Sequence, residues 1–386
     1  MTETGRKSGM AAALEHYAEY GSRARELKGL GKKVIGYLTA LVPLEIMTAA
    51  GVIPLRMKGN PKEAIMEADG YMETIVCPFV RSVFNSALRG KYDFLDGIVL
   101  PHQCDSIEKT NDTWRYNLKL PYWHFLNVPH LADGPSLKFM GRILREFCKS
   151  LEAFTGNAIT DEALARAVGA HNENRRLMRD LYRLRQTSPP LTSGVEMMKI
   201  LVAAMSLPVE ESSEMIERVT EEVGQRRRPF NNGKPRIMVA GDQVDDTTLV
   251  EAIEEAGAWV VMDDLSMGSK MYWNDVDVTP DPIEGIAERH LRRLKLPTTF
   301  INSGESYEKN LEAQFGHLKK YVDDFKVTGV ILLTYKYCDP YGFEVPALKS
   351  YITSLGRSVL HLEDEYQALA FARTKTRIEA FLEMIL

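Results

Sequence analysis

Cysteine is scarce in this chain, with four in 386 residues, at positions 77, 104, 148 and 338. Such wide separations exclude the disulfide framework of a small secreted domain and leave reduced thiols or metal ligands. An excess of positive charge is also missing. Lys and Arg number 48 against 53 Asp and Glu, for a formal net charge of −5, so the chain has no overall basic character with which to neutralise a nucleic-acid backbone. No apolar run reaches the ~18–20 residues that span a bilayer. The first thirty residues carry no signal-peptide core and have the spacing of an exposed, partly amphipathic helix. A cytoplasmic location is expected, with neither nucleic acid nor membrane as partner. Nucleotide and hydrolase fingerprints are absent as well. GLGKKVIGY places its glycines before an apolar strand rather than after it, NNGKPR lacks the rest of a phosphate-binding loop, and neither G-x-S-x-G nor H-E-x-x-H occurs. Any ATP-driven step would have to come from another polypeptide.

What the chain does have is a repeating grammar. Its 386 residues suit two domains with connecting helices. KKVIGYLTALVP (32–43), IPLRM (53–57), GIVLP (97–101) and LPYWHFLNVPH (120–130) predict strands, and PLEIMTAAGV (43–52) a short helix opened by Pro43. A second set, RIMVAGDQV (236–244), WVVMDD (259–264), TTFINS (298–303), GVILLTYKY (329–337) and RSVLHLED (357–364), predicts further strands, with DTTLVEAIEEAGA (246–258) a helix. Residues from about 137 to 225 read as helix. Short strands alternating with helices imply parallel βαβ units. TALVPLEIMTAAGVIPLRM has a counterpart ending in EAGAWVVMDD, and each half later holds Gly, an apolar strand and Cys-Asp, as a duplicated doubly wound unit requires. The expected fold is α/β, with two Rossmann-like or flavodoxin-like parallel-sheet domains. An N-terminal helical arm (1–30) precedes the first α/β domain (31–136), and a helical middle region (137–230) precedes the second (231–386). RRRPFNNGKPR (226–236) marks the boundary, its three leading arginines a solvated surface.

Ligands of open α/β sheets bind beyond the carboxyl ends of the strands, where Cys104 and Cys338 fall. Cys77 precedes Pro78, a residue favoured in a first helical turn. Its thiol is therefore expected at a helix N-terminus, where the dipole lowers a thiol pKa and favours a thiolate. Cys148 shares a helical face with Met140, Leu144 and Leu151 and reads as core. Separations of 27 and 234 residues match no local metal signature, so spacing leaves unconnected loop cysteines and a shared metal site both open. Were the three to meet, thiolates on soft iron favour an iron–sulfur cluster with one iron left open. Zinc, with water or His102 as fourth ligand, is the other option.

The segment TALVPLEIMTAAGVIPLRM resembles the VP-x-E signature of the 2-hydroxyacyl-CoA dehydratase/benzoyl-CoA reductase family. Cys77 with Arg81, His102–Cys104–Asp105 and Cys338–Asp339–Pro340 resemble that family's three cluster-ligand segments in order, and EAFTGNAITDEALARAVGAHNENRRLMRDLYRLRQTSPPLTSG its middle helices. The likeness covers the chain from about residue 30 onward. PHQCDSIEKTNDTWRYNLKLPYWHFLNVPH looks most like the smaller non-ATPase subunit of ATP-dependent benzoyl-CoA reductases. The resemblance implies an oxidoreductase subunit with a 4Fe-4S cluster on Cys77, Cys104 and Cys338, and a non-cysteine ligand on the fourth iron. It implies a homologous larger subunit, two ATPase subunits sharing a cluster of their own, and reduced ferredoxin as electron donor. Benzoyl-CoA would be the acyl-CoA substrate, reduced to a cyclic dienoyl-CoA in anaerobic aromatic breakdown. A radical 2-hydroxyacyl-CoA dehydratase subunit, with the same cysteine pattern, is one alternative; a non-catalytic partner of a catalytic paralogue is another.

Such a reaction must stabilise charge on the thioester oxygen and deliver a proton. His102 and Glu45 are the candidates by their place in the motifs, set against a satisfied loop histidine and a helix-start carboxylate. Asp105 and Asp339 are expected to cap the turns or helices after their cysteines. Tyr335, Tyr337, Tyr341 and Phe343 are candidates for an aromatic lining, although strand aromatics usually pack in cores.

Overall fold

The computed structural model describes residues 7–227, 233–301, 304–366 and 371–386. Two four-stranded parallel sheets organise them. The first holds β1 (Lys33–Tyr37), β2 (Val52–Arg56), β3 (Gly97–Pro101) and β4 (Tyr122–Leu126), in the order β2-β1-β3-β4. The second holds β5 (Arg236–Gly241), β6 (Trp259–Leu265), β7 (Gly329–Tyr335) and β8 (Ser358–Asp364), in the order β6-β5-β7-β8. The expected α/β class is therefore present, and both sheets share the flavodoxin-like 2-1-3-4 order.

Registers match as well as orders. Ile35 of β1 faces Gly97 of β3, and Ile237 of β5 faces Gly329 of β7. Gly97 is fixed by close approach, since a Cβ there would lie 2.4 Å from the Tyr122 carbonyl oxygen. β3 and β7 are buried at every position, as in parallel sheets covered on both faces. Alternate strand residues serve two cores. Ile35 and Tyr37 join Met238 and Ala240 in one, whereas Val34 joins Ile237 and Val239 in the other. Each core thus draws on both sheets.

The helical stretch expected between the sheets is found as Gly134–Thr155, Asp161–Arg183, Gly194–Ala204 and Val209–Gly224. Asp133, Thr160 and Ser193 each accept a first-turn amide, the last within a capping box with Glu196. The N-terminal arm is two helices, Gly9–Ala18 and Ser22–Gly29, broken at Gly21 with φ of 80°. One face of it is docked on the rest of the chain. A Cβ at Gly9 would lie 2.4 Å from the Val219 nitrogen, and Arg23 pairs with Glu211 at 2.7 Å. The arm's buried residues, Met10, Ala13, Ala24 and Leu27, are too small and sparse to stand out as an apolar stripe.

Two local expectations change. TTFINS is not a strand where described: Phe300 makes one isolated bridge to Leu131, outside both sheets, and residues 302–303 lie outside the described set. In the linker, residues 228–232 likewise lie outside it. Arg226 is not a solvated charge but pairs with Glu196 at 2.9 Å, and Arg236 is buried with its guanidinium on three backbone carbonyls. No helix among the described residues is long and apolar enough to cross a membrane.

Candidate cysteine-lined site

In a 2-1-3-4 sheet the chain switches direction between its first and third strands, opening a crevice at their carboxyl ends. Cys104 lies three residues beyond β3 and Cys338 three beyond β7, so the two Cys-Asp pairs occupy corresponding places in the two sheets. Each is the residue immediately before a helix, Asp105–Asn117 and Asp339–Ser354 respectively. Cys77 stands in the same relation to Pro78–Leu88, between β2 and β3. All three cysteines line one cavity of about 330 Å³. Cys148 does not; it packs against the core from Gly134–Thr155, as its spacing predicts.

Each cysteine is held by its neighbours. Arg81 reaches back from its helix to Asp69 and to the Thr74 carbonyl oxygen (3.1 Å). Asn85 Oδ1 accepts the amides of Met66, Glu67 and Ala68 at 2.9–3.2 Å. Together they fix the long loop that delivers Cys77. The Cys77 amide donates to Ser106 Oγ at 3.4 Å, tying it to the turn that carries Cys104. Before Cys338, Tyr337 adopts a left-handed φ of 63°, a conformation that costs a non-glycine residue roughly 1–2 kcal/mol. Asp242, in the loop after β5, is buried and accepts the Gln243 amide at 2.8 Å, and it lies in hydrogen-bonding contact with Cys338.

The thiols do not titrate as expected from their helix ends alone. Burial pushes the Cys104 thiol up to about 11, against the helix amides of Ile107 and Ser106. Burial likewise pushes Cys77 and Cys338 above the usual thiol range, with Asp242 adding to both. Low dielectric outweighs the dipole here. A thiolate set in this cavity therefore requires a compensating cation. The donors are three sulfurs, each facing the amide end of a helix, which suits an iron–sulfur cluster. Among the described residues no three His, Cys, Asp or Glu side chains are gathered as a single metal ion would need.

The structure separates the two proposed proton handlers. His102 does not line the cavity; His130, on the loop after β4, does. His130 Nδ1 lies 2.7 Å from the Thr298 carbonyl oxygen and must donate to it, leaving Nε2 facing His102 Nε2 at 3.5 Å. His102 Nε2 is also 3.3 Å from Glu108 Oε2. Glu45 lies elsewhere, in a separate cavity of about 50 Å³ with His171, Arg175, Arg289 and His290. It is buried and ion-paired to Arg175. Burial alone would raise its carboxyl; Arg175 and then His171 overcome that and hold it well below the usual range.

Asp105 and Asp339 are not caps, since the cysteines occupy the capping positions. Asp105 pairs with Lys109 at 2.6 Å, and Asp339 lines the cavity. Of the aromatic group, Tyr337 and Phe343 line the cavity and are exposed, whereas Tyr335 and Tyr341 are buried. Sequence reading missed His130, Tyr337 as a backbone device, and Asp242. The Gly-Asp ending of RIMVAGD was the one available signal for the last: Gly241 has φ of 120° and no room for a Cβ, turning the chain toward Cys338.

Fold and site together define a class of protein: a duplicated parallel α/β chain whose two switch points bring three cysteine-capped helices to one cavity. The chain belongs to the family described as 2-hydroxyglutaryl-CoA dehydratase, D-component, which matches residues 39–385. It is 28% identical to one of the subunits of benzoyl-CoA reductase from Thauera aromatica, over 82% of this chain and 81% of that one. It is 24% identical to the (R)-phenyllactyl-CoA dehydratase beta subunit of Clostridium sporogenes, over 94% of both. It is 23% identical to the (R)-2-hydroxyglutaryl-CoA dehydratase subunit beta of Acidaminococcus fermentans, over 97% of this chain and all of that one. These relatives are subunits of reductase and dehydratase enzymes.

Proposed function

We propose that this chain is an iron–sulfur subunit of an ATP-dependent benzoyl-CoA reductase, with Cys77, Cys104 and Cys338 holding a 4Fe-4S cluster. The observation that carries this reading is the convergence of those three thiols, from helices of both sheets, on one cavity. When bound, such a cluster supplies one-electron transfer at low potential. The chain's own residues do the rest. Asp242 orients Cys338, Ser106 links Cys77 to the Cys104 turn, and the exposed rings of Tyr337 and Phe343 offer an apolar approach to the cavity. His130 holds a proton donor or acceptor at Nε2, with His102 and Glu108 behind it toward solvent. Glu45 takes no part in that cavity and serves the fold as one half of a buried ion pair. The exposed Tyr337 and Phe343 are covered by a homologous larger subunit, two ATPase subunits carry the energy coupling, and reduced ferredoxin supplies electrons.

A second reading, a subunit of a radical 2-hydroxyacyl-CoA dehydratase, is favoured by the family description and by the fuller coverage of the dehydratase relatives. Anoxic purification with partner subunits, followed by iron, acid-labile sulfide and visible absorbance, tests the cluster. Serine at Cys77, Cys104 or Cys338 is expected to strip most of the iron, and Cys148→Ser to retain it; equal loss at all four removes the assignment. Turnover of a 2-hydroxyacyl-CoA but not of benzoyl-CoA, with the ATPase and a strong reductant, selects the second reading.

A further inference from the structure

The net charge of −5 conceals a local excess of the opposite sign. A groove of about 610 Å³ opens where the N-terminal arm meets the loops after β2 and β5. Its cations are Arg25 of Ser22–Gly29, Lys58 and Lys62 after β2, and Lys91 beyond Pro78–Leu88. None of the four is ion-paired among the described residues. Ring faces hold three of them instead: Arg25 lies 4.7 Å from the Phe94 centroid, Lys58 4.9 Å from Tyr20, and Lys91 5.8 Å from Tyr92. Such contacts contribute only about 0.5–1 kcal/mol at exposed sites and leave the N–H donors free. The acids of the groove are Glu19, Asp245 and Asp246. Asp245 is already taken, by buried Arg56 at 3.0 Å and by the Tyr366 hydroxyl at 2.7 Å. Four cations therefore face two carboxylates without an ion pair among the described residues, Glu19 and Asp246, the latter accepting the Thr248 amide at 2.7 Å. Burial first, and then neighbouring positive charge, pushes Lys58 and Lys91 below the usual lysine range despite the aspartates. An anion in the groove relieves both.

We propose that this groove binds the phosphates of a diphosphate-bearing small molecule. Lysine ammonium groups and an arginine fork on concave walls suit a compact, multiply charged oxyanion. An acidic peptide would instead spread its charge along the chain at ~3.3–3.6 Å per residue. The loop Asp242–Asp246 joins the groove to the cysteine cavity: its first residue contacts Cys338 and its last two line the groove. Its five residues span no more than ~18 Å, which puts the two spaces within that distance of each other along the chain. Two sources carry this chemistry: the nucleotide end of a coenzyme A thioester, and a free nucleoside diphosphate. The thioester source rests on the proposed function; the diphosphate chemistry does not.

Calorimetric titration of the full chain with inorganic pyrophosphate, ADP and 3′-phospho-ADP tests the proposal, with bound iron measured in parallel so that loss of the cluster reading stays distinct. All three probes are expected to bind, more weakly as salt rises. The double variant Lys62→Met, Lys91→Met should weaken them roughly tenfold or more. Lys320→Met, on a remote exposed helix, should change nothing. A clear preference for 3′-phospho-ADP over ADP supports the thioester source, and equal affinity the free nucleotide. Absence of binding by every probe overturns the site, as does undiminished affinity in a double variant whose unfolding midpoint matches wild type.

Discussion

The cysteine cavity and the Glu45 cavity are opposite solutions to burying polar groups. Around Cys77, Cys104 and Cys338 the space is about 330 Å³, and burial disfavours the very charges that the helix ends invite. Around Glu45 the space is about 50 Å³ and opposite charge is already in place, with Arg175 on one carboxylate oxygen. That volume admits a few waters at ~10–15 Å³ each, enough to serve the Glu45 Oε2 atom that has no protein partner. Among the described residues no lysine or arginine lines the first cavity, whereas the second is close to complete. The presence of a buried counter-charge is what separates the two.

The sharpest way to break this comparison is to remove the counter-charge. Arg175→Met leaves Glu45 buried and unpaired, and truncating one partner of a buried ion pair costs about 3–5 kcal/mol. Urea unfolding of the metal-free chain should show that loss, whereas Cys338→Ser should shift the metal-free chain by no more than about 1 kcal/mol. If Arg175→Met were as stable as wild type, the Glu45 cavity would not be a structural ion pair.

Acid probes the same contrast with a smaller effect. Burial lowers His171 and His290 from the usual 6.5 to about 4, so both are neutral in the fold while the unfolded chain takes up protons. Their contribution is full above pH 6.5 and is lost as pH falls toward 4. Linkage puts it on the order of 3 kcal/mol for each imidazole. Glu45, held low, adds a further loss below its ordinary 4.5. The cysteine thiols, pushed upward, are silent in this window. Denaturant titrations at several pH values between 7 and 5 should therefore show a slope that His290→Gln flattens; an unchanged slope would mean that His290 is not buried in neutral form.

The paired strands, their parallel order and the correspondence of Cys104 with Cys338 were legible because continuous apolar runs such as GIVLP and GVILLTY report strands buried on both faces. The convergence with Cys77 was not, because nothing local encodes contacts across 27 residues to Cys104 and 261 to Cys338; the ordered resemblance supplied it. The buried pairing of Glu45 was hidden for a related reason. Its partner Arg175 lies 130 residues away on Asp161–Arg183, in a helix whose arginines look like a solvated face. His130 escaped notice because its role depends on the Thr298 carbonyl and on His102, neither near it in sequence.

The smallest effect separates the two halves at a single backbone position. Tyr337 and Gln103 each precede a cavity cysteine, yet only Tyr337 is left-handed, at φ of 63°. Tyr337→Gly trades about 1–2 kcal/mol of relieved strain against the roughly 0.5–1 kcal/mol by which glycine enlarges the unfolded ensemble. Tyr337 is 51% exposed, so little packing is lost. Stability should be unchanged or rise by a few tenths of a kcal/mol, up to about 1. Gln103→Gly has no strain to relieve and also removes a buried side chain, so it should lose at least about 0.5–1 kcal/mol. Equal losses in the two variants, by thermal or denaturant unfolding, would show that strain at Tyr337 is not what aims Cys338. If the difference holds while Tyr337→Gly also binds less iron, the left-handed turn is a positioning device that one half of the duplicated fold has and the other lacks.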